Sequence, residues 1–477
     1  MNLAGQLQVL SENDMQMVHE KALELLEKKG VVFQSDKAIE TFRKHGAKIS
    51  GQTVCIPKAM VTKALSQCPS SFLLEGMNPD RNVTIGEGLA IHPAGGEVFM
   101  RDYSGKTRDA TLEDFTNLQK IYQALHNVDI CGYQPVSPSD VPKRTIGLHC
   151  LAASFQNSDK PILSPMELET IEEKEECLKL FDIVYGKQGY VKEHYLTWHI
   201  ATPNSPLFYS EFACEGIRVF AENNQPIALV SAPMNGITAP IYPYSTVILD
   251  VVETLAGLVY AQLVCPGVPM ITSATLTSGN MRYATWECAS PDSALMLAAT
   301  VQMYKSFYKL PTRAQTGVTS SKTIDYQAGM EVMQSFLFTG LAGVNLTSNS
   351  VGALSNLMTT SLEKCVLDDE VISRVRFMLD GMNTSEEHMG IVELMECRPC
   401  QDFLMEDSTM EHVRDGWQPT VSDWRSTDDW EADGYKDVVQ TAHERVLQIL
   451  KDAPKTLLDP EQEKEISTYI QSVENAL

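Results

Sequence analysis

The sequence predicts an α/β fold: an eightfold β/α barrel with an N-terminal helical region and an acidic C-terminal extension. Short β-rich runs and longer helical patterns alternate eight times over roughly 290 residues, which favours a closed barrel of parallel strands. The first β run is not followed by a glycine-rich dinucleotide-binding turn, which disfavours an open sheet. The 477-residue chain therefore divides into a helical cap region (1–88), the barrel (89–380) and the extension (381–477).

Helix signals appear twice in the cap region. Ser11 is a good N-cap for a helix that Gly30 would end. Pro57 suits the first turn of a second helix, which extends to about Cys68. Both signals predict that the chain enters the barrel only after a helical segment.

The barrel prediction rests on eight β runs, each followed by a helical pattern. The β runs are Leu89–His92, Val128–Gln134, Pro161–Ser164, Tyr195–Ala201, Pro226–Ser231, Val268–Ser273, Thr312–Val318 and Gly343–Ser348. The helical patterns are 111–125, 141–156, 167–186, 207–223, 245–264, 290–308, 325–340 and 355–380. In such a barrel the chemistry lies at the carboxyl ends of the strands.

The extension is the most acidic part of the chain. The last 98 residues hold 23 acidic and 8 basic residues, which is 15 of the 24 net negative charges. Three of the five tryptophans, Trp417, Trp424 and Trp430, lie here. We expect them to fasten a polar segment to the barrel rather than to bind a ligand.

Composition excludes several classes of protein. A net charge of −24 opposes binding to nucleic acid or anionic lipid. No stretch approaches about 20 uninterrupted apolar residues, so no membrane span is expected. No secretory signal is visible, and eleven scattered cysteines indicate reduced thiols in a cytoplasmic protein.

Metal, redox and hydrolytic motifs are weak in this chain. Cys397 and Cys400 form a CxxC, but no second CxxC or close histidine pair completes a zinc site, and no thioredoxin-like βαβ pattern surrounds it. A structural role is therefore favoured. Nucleophile-elbow, phosphate-loop and His-Glu-x-x-His motifs are absent from the sequence.

Candidate site residues follow or lie in the β runs. His92 ends the first run and precedes Gly95 and Gly96, which permit a tight loop at the barrel mouth. It either donates a hydrogen bond into the mouth or is structural. Trp198 and His199 are adjacent in the fourth run, so only one of them can face the interior.

Aromatic residues are expected in the loops at the same end. Tyr244, Tyr283 and Trp286 follow the fifth and sixth runs. Rings gathered there could cage a cationic methylated amine, at about 0.5–2 kcal/mol per good contact. The alternative is ordinary loop packing.

Polar residues end the last two β runs. Arg313 is the only charge in its run, so it needs a partner: either an anionic substrate group or an acid on a neighbouring element. An arginine can hold a carboxylate through two parallel hydrogen bonds. Asn345, Ser348 and Asn349 would add neutral donors and acceptors at the mouth.

Several blocks of the chain, among them "LPTRAQTG" and "GLAIHPAGGEVFMRDYSGKTRDATLEDF", resemble the trimethylamine methyltransferase superfamily. The resembling blocks span 88–115, 128–142, 204–240, 255–271, 290–346 and 403–424. The resemblance implies an eightfold barrel that moves a methyl group from a methylated amine to the cobalt of a separate corrinoid protein. The chain contains only the twenty standard residues, so it resembles the branch without pyrrolysine, whose members demethylate glycine betaine, proline betaine or carnitine.

The resemblance also implies roles for residues. It places Arg313 on the substrate carboxylate, and His92, Trp198 or His199, Tyr244, Trp286 and Asn349 along the substrate cavity. No residue of the chain is expected to act as a catalytic nucleophile or to bind metal, because cobalt(I) attacks a quaternary amine directly.

The resulting expectation is a betaine:corrinoid protein N-methyltransferase that binds no cofactor tightly and receives cobalamin from its partner. A homo-oligomer is also expected. Two alternatives stay open: a corrinoid-free methyltransferase, and a non-catalytic subunit of a methyltransfer complex.

Overall fold

The computed structural model describes residues 2–165 and 168–477, and it contains the predicted eight parallel strands. The barrel strands are β1 (Ala90–Ile91), β2 (Cys131–Gly132), β3 (Ile162–Leu163), β4 (His199–Ala201), β5 (Ile227–Leu229), β6 (Met270–Ala274), β7 (Thr312–Gln315) and β8 (Leu346–Ser348). Seven lie within their predicted runs, and β6 ends one residue beyond its run, at Ala274, so the predicted fold class is confirmed.

The strands close on themselves in chain order. A continuous parallel ladder joins β4, β5, β6, β7, β8 and β1, and a separate parallel pair joins β2 to β3. At one junction the backbone N–H groups of Asp129 and Ile130 donate to the Ile91 carbonyl at 3.0 and 3.2 Å. At the other, the Ser164 N–H donates to Thr197 Oγ1 at 2.7 Å.

A helix follows each strand. These helices are α1 (Leu112–Ala124), α2 (Ile146–Asn157), α3 (Ile171–Val184), α4 (Glu211–Glu222), α5 (Pro243–Val264), α6 (Pro291–Val301), α7 (Tyr326–Ala342) and α8 (Leu362–Asp380). Capping boxes fix where α1 and α3 begin: the Thr111 and Thr170 hydroxyls accept from the backbone of Asp114 and Glu173. Part of the predicted helix 167–186 lies outside the described residues.

α2 and α4 begin later than the predicted 141 and 207, at Ile146 and Glu211, and two other predicted helices differ more in extent or type. The pattern 355–380 is helical only from Leu362, because Ser355, Asn356 and Leu357 have φ between 53° and 64° and turn the chain between two short strands. The pattern 290–308 is α-helical to Val301 and continues as wider π-helical turns over Gln302–Phe307.

α5 is long and apolar enough to cross a membrane, judged by length and composition. It nevertheless lies inside the protein: 83% of its 18-residue apolar window is buried, and it carries the buried acids Asp250 and Glu253. It is therefore a core helix of the barrel, which explains its composition without a membrane.

The N-terminal region covers one end and one side of the barrel. Its helices are Glu12–Lys28, Asp36–Lys44 and Lys58–Gln67, and the Ser11 hydroxyl caps the first, as predicted. The hairpin of Phe72–Leu74 and Val83–Ile85 packs its apolar side chains against inward residues near the amino-terminal ends of the barrel strands. The hairpin therefore plugs the amino-terminal end of the barrel.

The C-terminal extension runs along the outside of the barrel. Its helices are Ile391–Glu396, Asp407–His412, Thr427–Ala432, Val438–Asp452 and Pro460–Glu474. The Trp417 indole N–H donates to Ser373 Oγ of α8 at 2.9 Å, and the Arg374 guanidinium lies 4.1 Å from the centre of the Trp417 ring. These contacts attach the extension to α8.

Candidate active site

An aromatic wall forms one side of the barrel interior. It consists of His92, Tyr133 and Trp198, which follow or precede β1, β2 and β4. The His92 ring meets Tyr133 edge-on with centroids 4.9 Å apart, and Trp198 with centroids 6.0 Å apart. His92 and Trp198 are buried, with only 1% and 3% of their surfaces exposed.

The loop after β1 leaves space for the Tyr133 ring of this wall. A Cβ atom on Gly95 would lie 1.9 Å from the Tyr133 ring, so only glycine allows the ring to pack there. Asn349 holds the same loop in place: its backbone N–H donates to the Pro93 carbonyl at 3.1 Å and its side-chain amide to Gly95 at 2.7 Å. The predicted residue Asn349 thus positions the loop.

A polar wall faces inward from β6, β7 and β8. It consists of Ser273, Arg313, Gln315 and Ser348, which are all buried. Ser273 is paired in register with Arg313, and Gln315 with Ser348, so each pair points to the same face of the sheet. Arg313 Nε donates to Ser348 Oγ at 3.0 Å, and Nη2 also donates to this oxygen.

Several polar atoms of the two walls have no hydrogen-bond partner among the described residues. They are both ring nitrogens of His92, Trp198 Nε1, Arg313 Nη1 and Gln315 Nε2. Within residues 2–165 and 168–477, no carboxylate forms an ion pair with Arg313. Because buried polar groups are rarely left unpaired in folded proteins, this arrangement indicates a place for a polar ligand.

Burial sets the charge of each wall. It lowers the pKa of His92 well below its usual value, and the nearby positive charge of Arg313 lowers this pKa further, so the imidazole is neutral at pH 7. Burial lowers the pKa of Arg313 to about 10, which still leaves the guanidinium charged. One wall is therefore neutral and aromatic, and the other carries one positive charge.

Space is available beside the aromatic wall. A cavity of about 280 Å³ lies next to Tyr133 and Trp198. Its lining also includes His199, Lys174 and Phe212 but no residue of the polar wall, so it extends from the aromatic wall toward α3 and α4.

The structure brings only some of the predicted residues together. His92, Trp198 and Arg313 meet in the interior. Of the adjacent pair, His199 points outward and stacks on Phe220 of α4, with ring centroids 4.9 Å apart. Trp286 lies above the mouth in a hairpin, where it packs with Val318 and Leu357.

Two predicted mouth residues lie elsewhere. Tyr244 is in the first turn of α5, is partly exposed, and its hydroxyl donates to the Asp14 carbonyl in the N-terminal helix at 2.9 Å. Asn345 precedes β8, so it lies at the opposite end of the barrel, where its amide donates to the Gly86 carbonyl at 3.0 Å.

Four residues of the interior were missed from the sequence: Tyr133, Ser273, Gln315 and Glu97. Gln315 could have been found, because it lies two positions after Arg313 in the same strand and so shares its face. Glu97 is fully buried in the loop after β1, and burial raises the pKa of its carboxyl group well above the usual value. The signal for Glu97 in the sequence was its position directly after Gly95 and Gly96.

Comparison with known proteins gives a consistent result. The sequence profile of the family described as trimethylamine methyltransferase (MTTB) matches residues 1–477. Glycine betaine methyltransferase of Desulfitobacterium hafniense (strain Y51) is 32% identical over 97% of this chain and 96% of its own length. Trimethylamine methyltransferase MttB of Methanosarcina thermophila is 29% identical over 94% of this chain and 93% of its own length.

Solved structures show the same fold. The crystal structure of Methanosarcina barkeri monomethylamine methyltransferase (MtmB) has a TM-score of 0.50 at 14% identity, and covers 97% of this chain and 94% of that chain. A hydroxylamine complex of MtmB gives a TM-score of 0.51 at 14% identity, with 92% and 94% covered.

Proposed function

The chain belongs to the trimethylamine methyltransferase family, a family of methyltransferases, and on that premise we propose that it transfers a methyl group from a betaine to the cobalt(I) of a separate corrinoid protein. The observation that carries the proposal is the pair of walls in one barrel interior: one is aromatic and neutral, and in the other Arg313 Nη1 has no partner among the described residues. A betaine carries a quaternary ammonium at one end and a carboxylate at the other, and so it complements both walls.

The aromatic wall suits the ammonium end. The faces of Tyr133 and Trp198 are negative, and each good contact with a quaternary ammonium contributes about 0.5–2 kcal/mol. The neutral imidazole of His92 adds no positive charge that would repel the substrate.

The polar wall suits the carboxylate end. Ser348 accepts hydrogen bonds from Nε and Nη2 of Arg313, which fixes the orientation of the guanidinium and leaves Nη1 free among the described residues. The amide of Gln315 lies on the same face of the sheet. Together they offer N–H donors to a carboxylate, and a charged donor makes these hydrogen bonds strong.

The reaction requires the protein mainly to position the substrate. A quaternary nitrogen is already a good leaving group, so cobalt(I) can displace the amine in line at the methyl carbon. The chain holds the substrate so that one methyl group points toward the mouth, and its burial excludes water. Methyl-group orientation is thus the main catalytic contribution of the two walls.

The corrinoid is the methyl acceptor and belongs to the partner protein. We infer that this chain alone retains no stoichiometric cobalamin, that it is cytoplasmic, and that it forms a homo-oligomer. Purified chain that keeps one cobalamin per protomer would contradict the first inference.

The test is a spectroscopic assay with purified chain and each corrinoid-binding protein of the source organism, loaded with hydroxocobalamin and reduced to cobalt(I). Glycine betaine, proline betaine and carnitine are added in turn, and formation of methyl–cobalt is followed by absorbance. We expect at least one betaine to react, and trimethylamine and dimethylamine to remain inert, because their nitrogen is not quaternary.

Three outcomes contradict the proposal. Trimethylamine turnover at a rate comparable to the betaines removes the substrate class. Methyl transfer to a small acceptor without any corrinoid favours a corrinoid-free enzyme. Binding of a corrinoid protein without turnover of any betaine favours a non-catalytic subunit.

A further inference from the structure

The loops after β5 and β6 expose a patch of large apolar side chains. This rim patch consists of Ile237, Ile241, Tyr242, Met281 and Tyr283, which are between 54% and 69% exposed. Single exposed apolar residues are common, but five neighbouring ones mark an interaction surface.

The two loops form one surface because they pair with each other. Residues Met234–Asn235 run parallel to Thr277–Asn280, which in turn forms a hairpin with Thr285–Glu287. Gly236 has a φ of +79°, and a Cβ atom there would lie 2.8 Å from both Ile241 Cδ1 and Met281 Cε. The side chains of the two loops therefore meet at this glycine.

The rim patch is continuous with the candidate active site through the same hairpin. Met281 and Tyr283 lie at its tip, and Asn280 Oδ1 accepts from the Arg282 and Tyr283 N–H groups, which fixes the turn. Trp286 lies on the returning strand and packs with Val318, close to the end of β7. One small sheet thus reaches from solvent to the mouth.

We propose that the rim patch is the surface on which the corrinoid protein docks. This proposal rests on the proposed function. His92, Trp198 and Arg313 are at most 3% exposed, so a methyl acceptor must approach across the loops that surround the mouth. The complex has to separate after each transfer, and transient interfaces are small, below about 1,200 Å².

The C-terminal extension exposes another apolar surface, and this one follows α8 rather than a loop at the mouth. Met395, Leu404 and Met405 are more exposed than any residue of the rim patch, and Ile391 is 59% exposed. They follow α8, whose Arg376 donates to the Leu89 carbonyl just before β1. α8 therefore ends at the amino-terminal face of the barrel, where a docked cobalt could not reach the substrate.

The test compares the double variant I241S/M281S with a matched control, M395S/M405S. Both pairs replace exposed apolar side chains, and neither pair includes a residue of the two walls. Binding to the cobalamin-loaded corrinoid protein is measured by biolayer interferometry, and methyl transfer is measured with that protein and with free cob(I)alamin.

For I241S/M281S we expect the Kd and the KM for the corrinoid protein to rise about tenfold or more, as for the loss of central interface anchors. The rate with free cob(I)alamin should stay unchanged, and the control variant should behave as wild type throughout.

The docking proposal is overturned if I241S/M281S binds the corrinoid protein as tightly as wild type, if its rate falls equally with free cob(I)alamin, or if M395S/M405S has the same effect. Wild-type binding without methyl transfer to either acceptor would instead refute the proposed function. The two failures are therefore distinguishable.

Discussion

The aromatic wall and the polar wall face each other inside one barrel, yet they offer a ligand different physical interactions. His92, Tyr133 and Trp198 present ring faces and a neutral imidazole. Arg313 and Gln315 present N–H donors, and Ser348 holds the guanidinium in place. The aromatic wall should accept any quaternary ammonium, whereas the polar wall should require an anion.

The separation of the two walls follows from strand order. The aromatic wall comes from strands β1, β2 and β4, and the polar wall from β6, β7 and β8. Because neighbouring strands of the barrel are consecutive in the chain, each wall is assembled from one part of the sequence. Substitutions in the two walls should therefore have separable effects on substrate choice.

The largest expected effect is the loss of the polar wall's charge. Arg313→Ala should leave the substrate carboxylate buried and unpaired, which costs about 2–4 kcal/mol, or roughly 30- to 1,000-fold in kcat/KM for a betaine. Arg313→Lys should recover only part, because an ammonium cannot reproduce the planar guanidinium. Choline keeps the quaternary nitrogen and lacks the carboxylate, so it should be a poor substrate that responds little to either variant.

Kinetics with betaine and choline, together with melting temperatures, check this prediction. If Arg313→Ala lowers the rate for both substrates equally and melts several degrees below wild type, Arg313 has a structural role and the polar wall is not a carboxylate site.

The next effect sharpens the comparison by defining where the aromatic wall ends. His199 is adjacent to Trp198 but points outward, and burial lowers its pKa to about 3. Its pKa in the folded state lies below the unfolded value of 6.5, so the unfolded state binds a proton more readily. The folded state is therefore fully favoured above pH 6.5, and this contribution to the free energy of unfolding is lost as the pH falls toward 3. Between pH 7 and pH 5 this loss amounts to up to about 2 kcal/mol.

Chemical denaturation of wild type and His199→Gln at pH 7 and pH 5 measures this loss. The free energy of unfolding of wild type should decrease more than that of the variant over this interval, while betaine kinetics at pH 7 stay the same. An equal decrease in both proteins, or a change in kcat/KM in the variant, would place His199 in a different environment.

The sequence predicted the strands and helices of the barrel better than the contacts of the residues in the two walls. Eight β runs and eight helical patterns were enough to place the strands, because patterning and length carry that information locally. Arg313 stood out as a lone charge in a strand. The alternation rule limited Trp198 and His199 to one inward residue, but choosing between them required the packing of Phe220 against β4.

Other features depend on backbone geometry that patterns do not encode. Tyr133 has a φ of +64° directly after Gly132, and this turn carries its ring into the interior. Tyr244 was expected at the mouth, but it contacts a helix 230 residues earlier in the chain. Such long-range contacts form only in the folded protein.

The smallest expected effect on kcat/KM comes from a substitution in the aromatic wall. Trp198→Phe keeps an aromatic face but reduces its size and its negative potential, so the cation should lose about 0.5–1 kcal/mol, or two- to fivefold in kcat/KM. Because the loss concerns the ammonium end alone, betaine and choline should be affected by the same factor, in contrast to Arg313→Ala.

The measurement is the ratio of kcat/KM values for betaine and choline in wild type, Trp198→Phe and His199→Gln. In Trp198→Phe both values should fall while their ratio stays constant, because the ring contributes equally to any quaternary ammonium that lies against it. A fall for betaine alone would mean that Trp198 Nε1, which has no partner among the described side chains, donates to the carboxylate. In that case the two walls would overlap, and Trp198 would belong to the polar one.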